Sequence, residues 1–193
     1  MSRRFFIDMD GVLALFEQAS IEEMTTPGFF ISRKPVQNVI DMTDRLIEKS
    51  GREDIEVYVL SSYLLPVSKA EKIAWNEKYT HIPFENQIYV PYGESKADAF
   101  MSIGGIRETD VLLDDFSPNL REWDKYGVGV KLYNGINGTK GTWKGFSIHG
   151  NMDPDRMAQQ LDGISFMESV RLRLKEKESQ DAVLGDVRRG RGR

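Results

Sequence analysis

Apolar residues in this chain gather in short runs separated by stretches with helical spacing. Phe5, Phe6 and Ile7 form the first run, too short for a helix and suited to a buried strand. Residues 55–60 (IEVYVL) are β-rich and predict a second strand; 87–90, 110–113 and 128–133 predict three more. Between them the period changes. Residues 35–49 carry Val36, Val39, Ile40, Leu46 and Ile47 on one face, with Pro35 at a first helical position and Gly51 as a stop. Helices are also expected over 67–79, over 96–103 behind a Ser95 cap, from Ser117-Pro118 to 126, and over 153–177, the last carrying Met157, Leu161, Ile164, Met167 and Val170. Strand alternating with helix predicts an α/β, Rossmann-like core, a mostly parallel sheet with helices on both faces. Residues 1–177 read as one domain. Within it, 14–34 form a small insertion of short helix and loop, with the turn Thr26-Pro27-Gly28 before Phe29-Phe30. Residues 134–145 read as loop, and 178–193 as a disordered basic tail.

The strand ends carry the chemistry. Asp8 and Asp10 follow the first strand, and residues two apart in extended backbone project to one side. Two such charges raise each other's pKa unless a cation lies between them. Gly11 then lets the chain turn away and a ligand approach; a plain strand running into an Asp-Gly turn is the competing reading. Ser61 and Ser62 follow the second strand, and Asp114 and Asp115 follow the fourth. A parallel sheet gathers all six over its carboxyl edge, where such sheets bind ligands. Hard carboxylate oxygens suit Mg2+, which accepts a substrate phosphate among its ligands. The chain has no cysteine and two histidines, so zinc–thiolate sites and serine–histidine acyl transfer are poorly supplied. Magnesium-assisted phosphoryl transfer to a carboxylate is the chemistry that remains. So acidic a site needs a lysine to hold phosphate. Lys96, opening a predicted helix, is the candidate, although a lysine there is ordinarily a surface residue.

Charge narrows the partners. The formal net charge of -4 offers no basic field for nucleic acid or for anionic membranes. The acidic body argues against RNA binding through the terminal Arg-Gly repeats. Arg3-Arg4 precedes an apolar run that Asp8 and Asp10 interrupt, unlike a signal peptide, and no apolar stretch approaches a membrane span. A cytoplasmic location is expected, with a small phosphorylated molecule as partner and no membrane.

Asp8-Met9-Asp10-Gly11-Val12 resembles the first motif of the haloacid dehalogenase-like (HAD) phosphatases. Ser61, Lys96 and Asp114-Asp115 resemble the second, third and fourth motifs, in order. Within that superfamily the chain is similar to the 5'(3')-deoxyribonucleotidases, through Pro27-Gly28-Phe29-Phe30 and the run at 71–79 (EKIAWNEKY). The resemblance covers residues 5–133, has Ser61 where the family often has threonine, and leaves everything beyond Asn134 unmatched. It implies that Asp8 attacks phosphorus and that Asp10 protonates the leaving oxygen, then activates water. It also implies Mg2+ on the Asp8 and Asp114 carboxylates and the Asp10 carbonyl, with Asp115 in support. Ser61 and Lys96 would hold phosphate, with Ser62 beside them. Phe16, Phe29 and Phe30 of the insertion would surround a base.

The expected activity is magnesium-dependent hydrolysis of nucleoside 5'-monophosphates, with another small phosphomonoester such as a phosphosugar as the alternative. A non-catalytic magnesium- or nucleotide-binding protein of this fold is a further reading, disfavoured because Asp8, Asp10 and Lys96 are all present.

Overall fold

Strand β1 (Arg3–Ile7) is the centre around which the sheet grows in both directions. β2 (Ile55–Tyr63) lies on one side of it, with β3 (Gln87–Pro91) beyond. β4 (Val111–Asp114) lies on the other side, followed by β5 (Val128–Tyr133) and β6 (Phe146–His149). The order is β3-β2-β1-β4-β5-β6 and each pairing is parallel, so this is the expected α/β, Rossmann-like fold. The computed structural model describes residues 2–190 except Gln18, 51–53 and 137–142; for Ile103 and 176–190 it describes the backbone.

Alternation along β1 explains the two layers. Phe5 and Ile7 enter a core shared with α2 (Gln37–Ser50) and α6 (Pro154–Gly190), through Val39, Met42, Leu46, Met157 and Leu161. Phe6 points to the other face and packs with Ala97 and Phe100 of α4 (Lys96–Ile103) and Leu120 and Trp123 of α5 (Ser117–Trp123). α3 (Pro66–Tyr79) follows β2 and adds Trp75 to the first core. The order in which strands are added reverses between β1 and β4, which places a topological switch point at their carboxyl ends.

The insertion holds one short helix, α1 (Ile21–Thr25), closed by a reciprocal cap in which Glu23 N–H donates to Ser20 Oγ (3.2 Å) and Ser20 N–H to Glu23 Oε2 (2.7 Å).

Several boundaries differ from expectation. Pro35 does not open α2. It bridges Ala14, and the backbone bonds from Leu15 to Lys34 and from Val36 to Leu13, both 2.8 Å, tie off the neck of the insertion. Ser117 is the first residue of α5 rather than its cap; the Phe116 amide donates to Asp114 Oδ1 instead (2.7 Å). Ser61 and Ser62 belong to β2. β6 was not anticipated, because of its four residues Ile148 is the buried one. α6 runs to Gly190 rather than ending near Lys177. Residues 178–190, expected as a disordered tail, continue it; 191–193 lie outside the described residues. Met167 and Val170, expected on its packed face, are exposed at 55% and 38%. Among the described residues no helix is long and apolar enough to cross a membrane.

Candidate active site

Asp8 leaves β1 still paired to its neighbour, its amide donating to the Leu113 carbonyl (3.0 Å), so its position is fixed by the sheet. Asp114 ends β4 and Asp115 follows it. One carboxylate oxygen from each of Asp8, Asp114 and Asp115 lies within 4.8 Å of the others, and all three residues are buried. Lys96, at the start of α4 and 3% exposed, stands 2.8 Å from Asp8 Oδ1 and 2.8 Å from Asp114 Oδ2. Asp114 is oriented further by Asn119 Nδ2 (2.9 Å), and Asp115 by Asn134 Nδ2 (2.9 Å), which also donates to the Gly11 carbonyl (2.8 Å).

Burial pushes the Asp8 carboxyl up to about 7; Lys96 opposes this, and Asp114 and Asp10 add to it. Burial also works against the Lys96 ammonium, but the charges of Asp114 and Asp8 outweigh it and hold the lysine protonated well above its ordinary range. Behind the cluster, Lys131 is driven down by burial and donates to the Asp115 carbonyl and to Ser117 Oγ.

Three hard oxygen donors converging in a buried pocket fit a small divalent cation such as magnesium. Gly11 makes the cluster possible. It adopts φ +76°, and a Cβ there would meet Asp115 Oδ2 at 2.1 Å. The Asp10 carboxylate is not part of the cluster. It turns to Lys72 of α3, whose ammonium also donates to Ser61 Oγ (3.1 Å) and the Ser62 carbonyl (2.6 Å).

A cavity of about 540 Å³ opens above these groups. Asp8, Asp10, Lys96, Asp115 and Ser62 line its floor, with Phe16, Met24 and Phe30 contributed by the insertion. Tyr92 and Phe116, more than half exposed, also line it. Ser61 is fully buried beneath, facing Lys72. Phe29 does not reach the cavity lining; it packs edge-on against Phe16 and Phe30, with the Arg33 guanidinium 4.0 Å from its ring centre. Glu71, preceding Lys72, fixes this arrangement by accepting from the amides of Gly28 (2.5 Å), Phe30 (3.0 Å) and Ile31 (3.4 Å).

Asn119 and Asn134 were not singled out from sequence, and Glu71 and Lys72 entered only within the 71–79 run, with no role in the site. A signal existed for Lys72. Ser68, Lys72, Trp75 and Asn76 share one face of α3, and all four are buried. A polar stripe of that kind on an inward helix face needs partners.

No protein-family model and no curated protein matches the sequence. Among solved structures the chain is similar to the D,D-heptose 1,7-bisphosphate phosphatase of Burkholderia thailandensis, at 10% identity and a TM-score of 0.56, over 82% of this chain and 97% of that one. It is also similar to a protein of Mesorhizobium loti assigned as a HAD-like phosphatase, at 12% identity and a TM-score of 0.50, over 86% and 87%. The likeness is one of fold: this chain shares the α/β architecture of those two structures.

Proposed function

We propose that the protein is a HAD-type phosphomonoesterase that works through an aspartyl-phosphate on Asp8. One observation carries the reading: three buried carboxylates and one buried ammonium converge at the switch point of the sheet, and Asp8, Asp115 and Lys96 among them line a cavity of substrate size. So many anions serve no packing purpose at that place. Together with a cation they make a receptor for a phosphate ester.

In the first step an Asp8 oxygen bonds to phosphorus as the bond from phosphorus to the ester oxygen breaks, and Asp10 gives that oxygen its proton. In the second, water attacks the same phosphorus, Asp10 takes the water's proton, the bond to Asp8 breaks and inorganic phosphate leaves. Lys96 and the hydroxyl of Ser62 offset charge on the phosphoryl oxygens, while Ser61, buried beneath the cavity, accepts from Lys72. Asp8, Asp114 and Asp115, with the Asp10 carbonyl, would hold magnesium, which supplies charge neutralisation on the phosphoryl group.

For the substrate we favour nucleoside 5'-monophosphates. Phe16 and Phe30 offer aromatic walls from the insertion, and Tyr92 and Phe116 line the same cavity. Flat bases stack on such rings. A phosphate-release screen over nucleotides and sugar phosphates, with and without magnesium, tests both levels. Magnesium-dependent release, fastest on nucleoside monophosphates, is expected. Release fastest on a phosphosugar would remove the nucleotide assignment, and no release from any ester would remove the phosphatase.

A further inference from the structure

The Asp10 carboxylate has one tether. Among the described residues its Oδ2 pairs with Lys72, while its Oδ1 is buried with no hydrogen-bond partner. Lys72 is itself fully buried, a position a lysine occupies only when its charge is matched. Its ammonium is fully engaged: Asp10, Ser61 Oγ and the Ser62 carbonyl take its donors, and the Phe30 ring centre lies 4.5 Å away.

Lys72 therefore joins three parts of the site. It reaches from α3 to the strand end carrying Asp10, to the end of β2, and to the aromatic wall of the insertion. The preceding residue, Glu71, pins the backbone of that wall through the amides of Gly28 and Phe30. Adjacent side chains on one helix thus fix the acid and the cavity wall relative to each other.

We infer that Lys72 is a positioning residue that aims the Asp10 carboxyl at the leaving-group oxygen. The inference rests on the phosphomonoesterase reading and adds a residue to it. Lys72 does not touch the phosphoryl group: it is fully buried and does not line the cavity, whereas Lys96 does. Its effect must therefore appear in both proton transfers of Asp10: hydrolysis of the aspartyl-phosphate is common to all esters, whereas donation to the leaving oxygen depends on the ester. An alkoxide leaves poorly without a proton, whereas p-nitrophenolate leaves without help.

The experiment compares β-glycerol phosphate with p-nitrophenyl phosphate, in the full chain with magnesium. Misplacing a general acid forfeits much of a contribution of about 100-fold or more. Lys72→Met, uncharged and similar in length, should lose about 100-fold in kcat/KM on the glycerol ester and little in kcat/KM on the nitrophenyl ester, because kcat/KM ends at departure of the leaving group and excludes the later hydrolysis. Lys72→Ala leaves space where the ammonium stood, and added ethylamine should restore kcat/KM for the glycerol ester selectively. In an Asp10→Asn background, Lys72→Met should cost nothing further on that ester.

Equal losses of kcat/KM on the two esters, or a full further loss in the Asp10→Asn background, would overturn the assignment while leaving the phosphatase reading intact. If Lys72→Met does not fold, the ethylamine experiment decides, and recovery that is absent or equal for both esters counts against the assignment. An unmodified protein inactive on both esters would instead overturn the phosphatase reading, and the assignment with it.

Discussion

Gly11 and Asp115 occupy the same space: a Cβ on residue 11 would stand 2.1 Å from Asp115 Oδ2. The glycine also sits at φ +76°, where side chains are strained. Gly11→Ala should therefore push the Asp115 carboxylate out of the cluster. The expected result is a protein destabilised by about 1–3 kcal/mol and weakened for magnesium, seen as a right-shifted magnesium dependence of turnover. Unchanged magnesium dependence would show that Asp115 contributes nothing to the metal site.

Magnesium binding should depend on pH through Asp8. In the metal-free protein this carboxyl titrates near 7, against an ordinary value of 3.8, because burial disfavours its charge. The folded state holds the proton more tightly than the unfolded chain. The stability Asp8 contributes is therefore complete below pH 3.8 and is lost as pH rises through about 7. A cation reverses the balance by preferring the ionised carboxylate. Apparent magnesium affinity should rise as pH increases toward 7 and level off above it, with proton uptake by the buffer on binding at acidic pH. Titration calorimetry in buffers of different ionisation enthalpy measures both. Affinity flat across that range, with no proton release, would contradict the buried Asp8 ligand.

Phe30 lines the cavity and Phe29 does not, so the two rings should behave differently on substitution. Stacking on a base is worth about 1–3 kcal/mol. Phe30→Ala should weaken kcat/KM for nucleoside monophosphates by the corresponding factor of roughly 5 to 150, at about 1.4 kcal/mol per factor of ten. It should affect p-nitrophenyl phosphate less. Phe29→Ala should act alike on both substrates, through the packing of the insertion. A reversed pattern would put Phe29 against the base.

Glu71 accepts from three amides of the insertion. Glu71→Gln removes the charge that strengthens those bonds, each worth about 1.5–3 kcal/mol when one partner is ionised. Hydrogen exchange at Gly28, Phe30 and Ile31 should speed up, and KM for nucleotides should rise more than kcat falls. Exchange unchanged at those amides would mean that the neck between Ala14 and Pro35 holds the insertion unaided.

The parts of this site that could be read from sequence are those written locally. Asp8 and Asp10, two residues apart at the end of an apolar run, and Asp114-Asp115 after another, betray strand ends carrying charge. Ser95 before Lys96 marks a helix start, and the hydroxyl accepts from Asp98 N–H as expected (3.2 Å). The assumption that Asp8 and Asp10 share one point was also local, and here tertiary structure intervened. The chain has left β1 by Asp8, and a helix far along the sequence supplies Lys72 to Asp10. Asn134 reaching Gly11 and Asp115 is equally long-range, and an asparagine in a Gly-rich loop gives no local sign of it. Pro35 misled because its fixed φ suits an extended bridge as well as a helix start. α6 runs on beyond the apolar period that marks its packed face.

Turnover by Asp8→Asn tests the central claim most directly. The substitution keeps the shape of the side chain and removes the charged oxygen that is proposed to bond to phosphorus. With the protein folded, magnesium present and phosphate release followed on the best substrate of the screen, the account predicts no release above the uncatalysed background. Normal turnover by this variant would contradict the covalent mechanism.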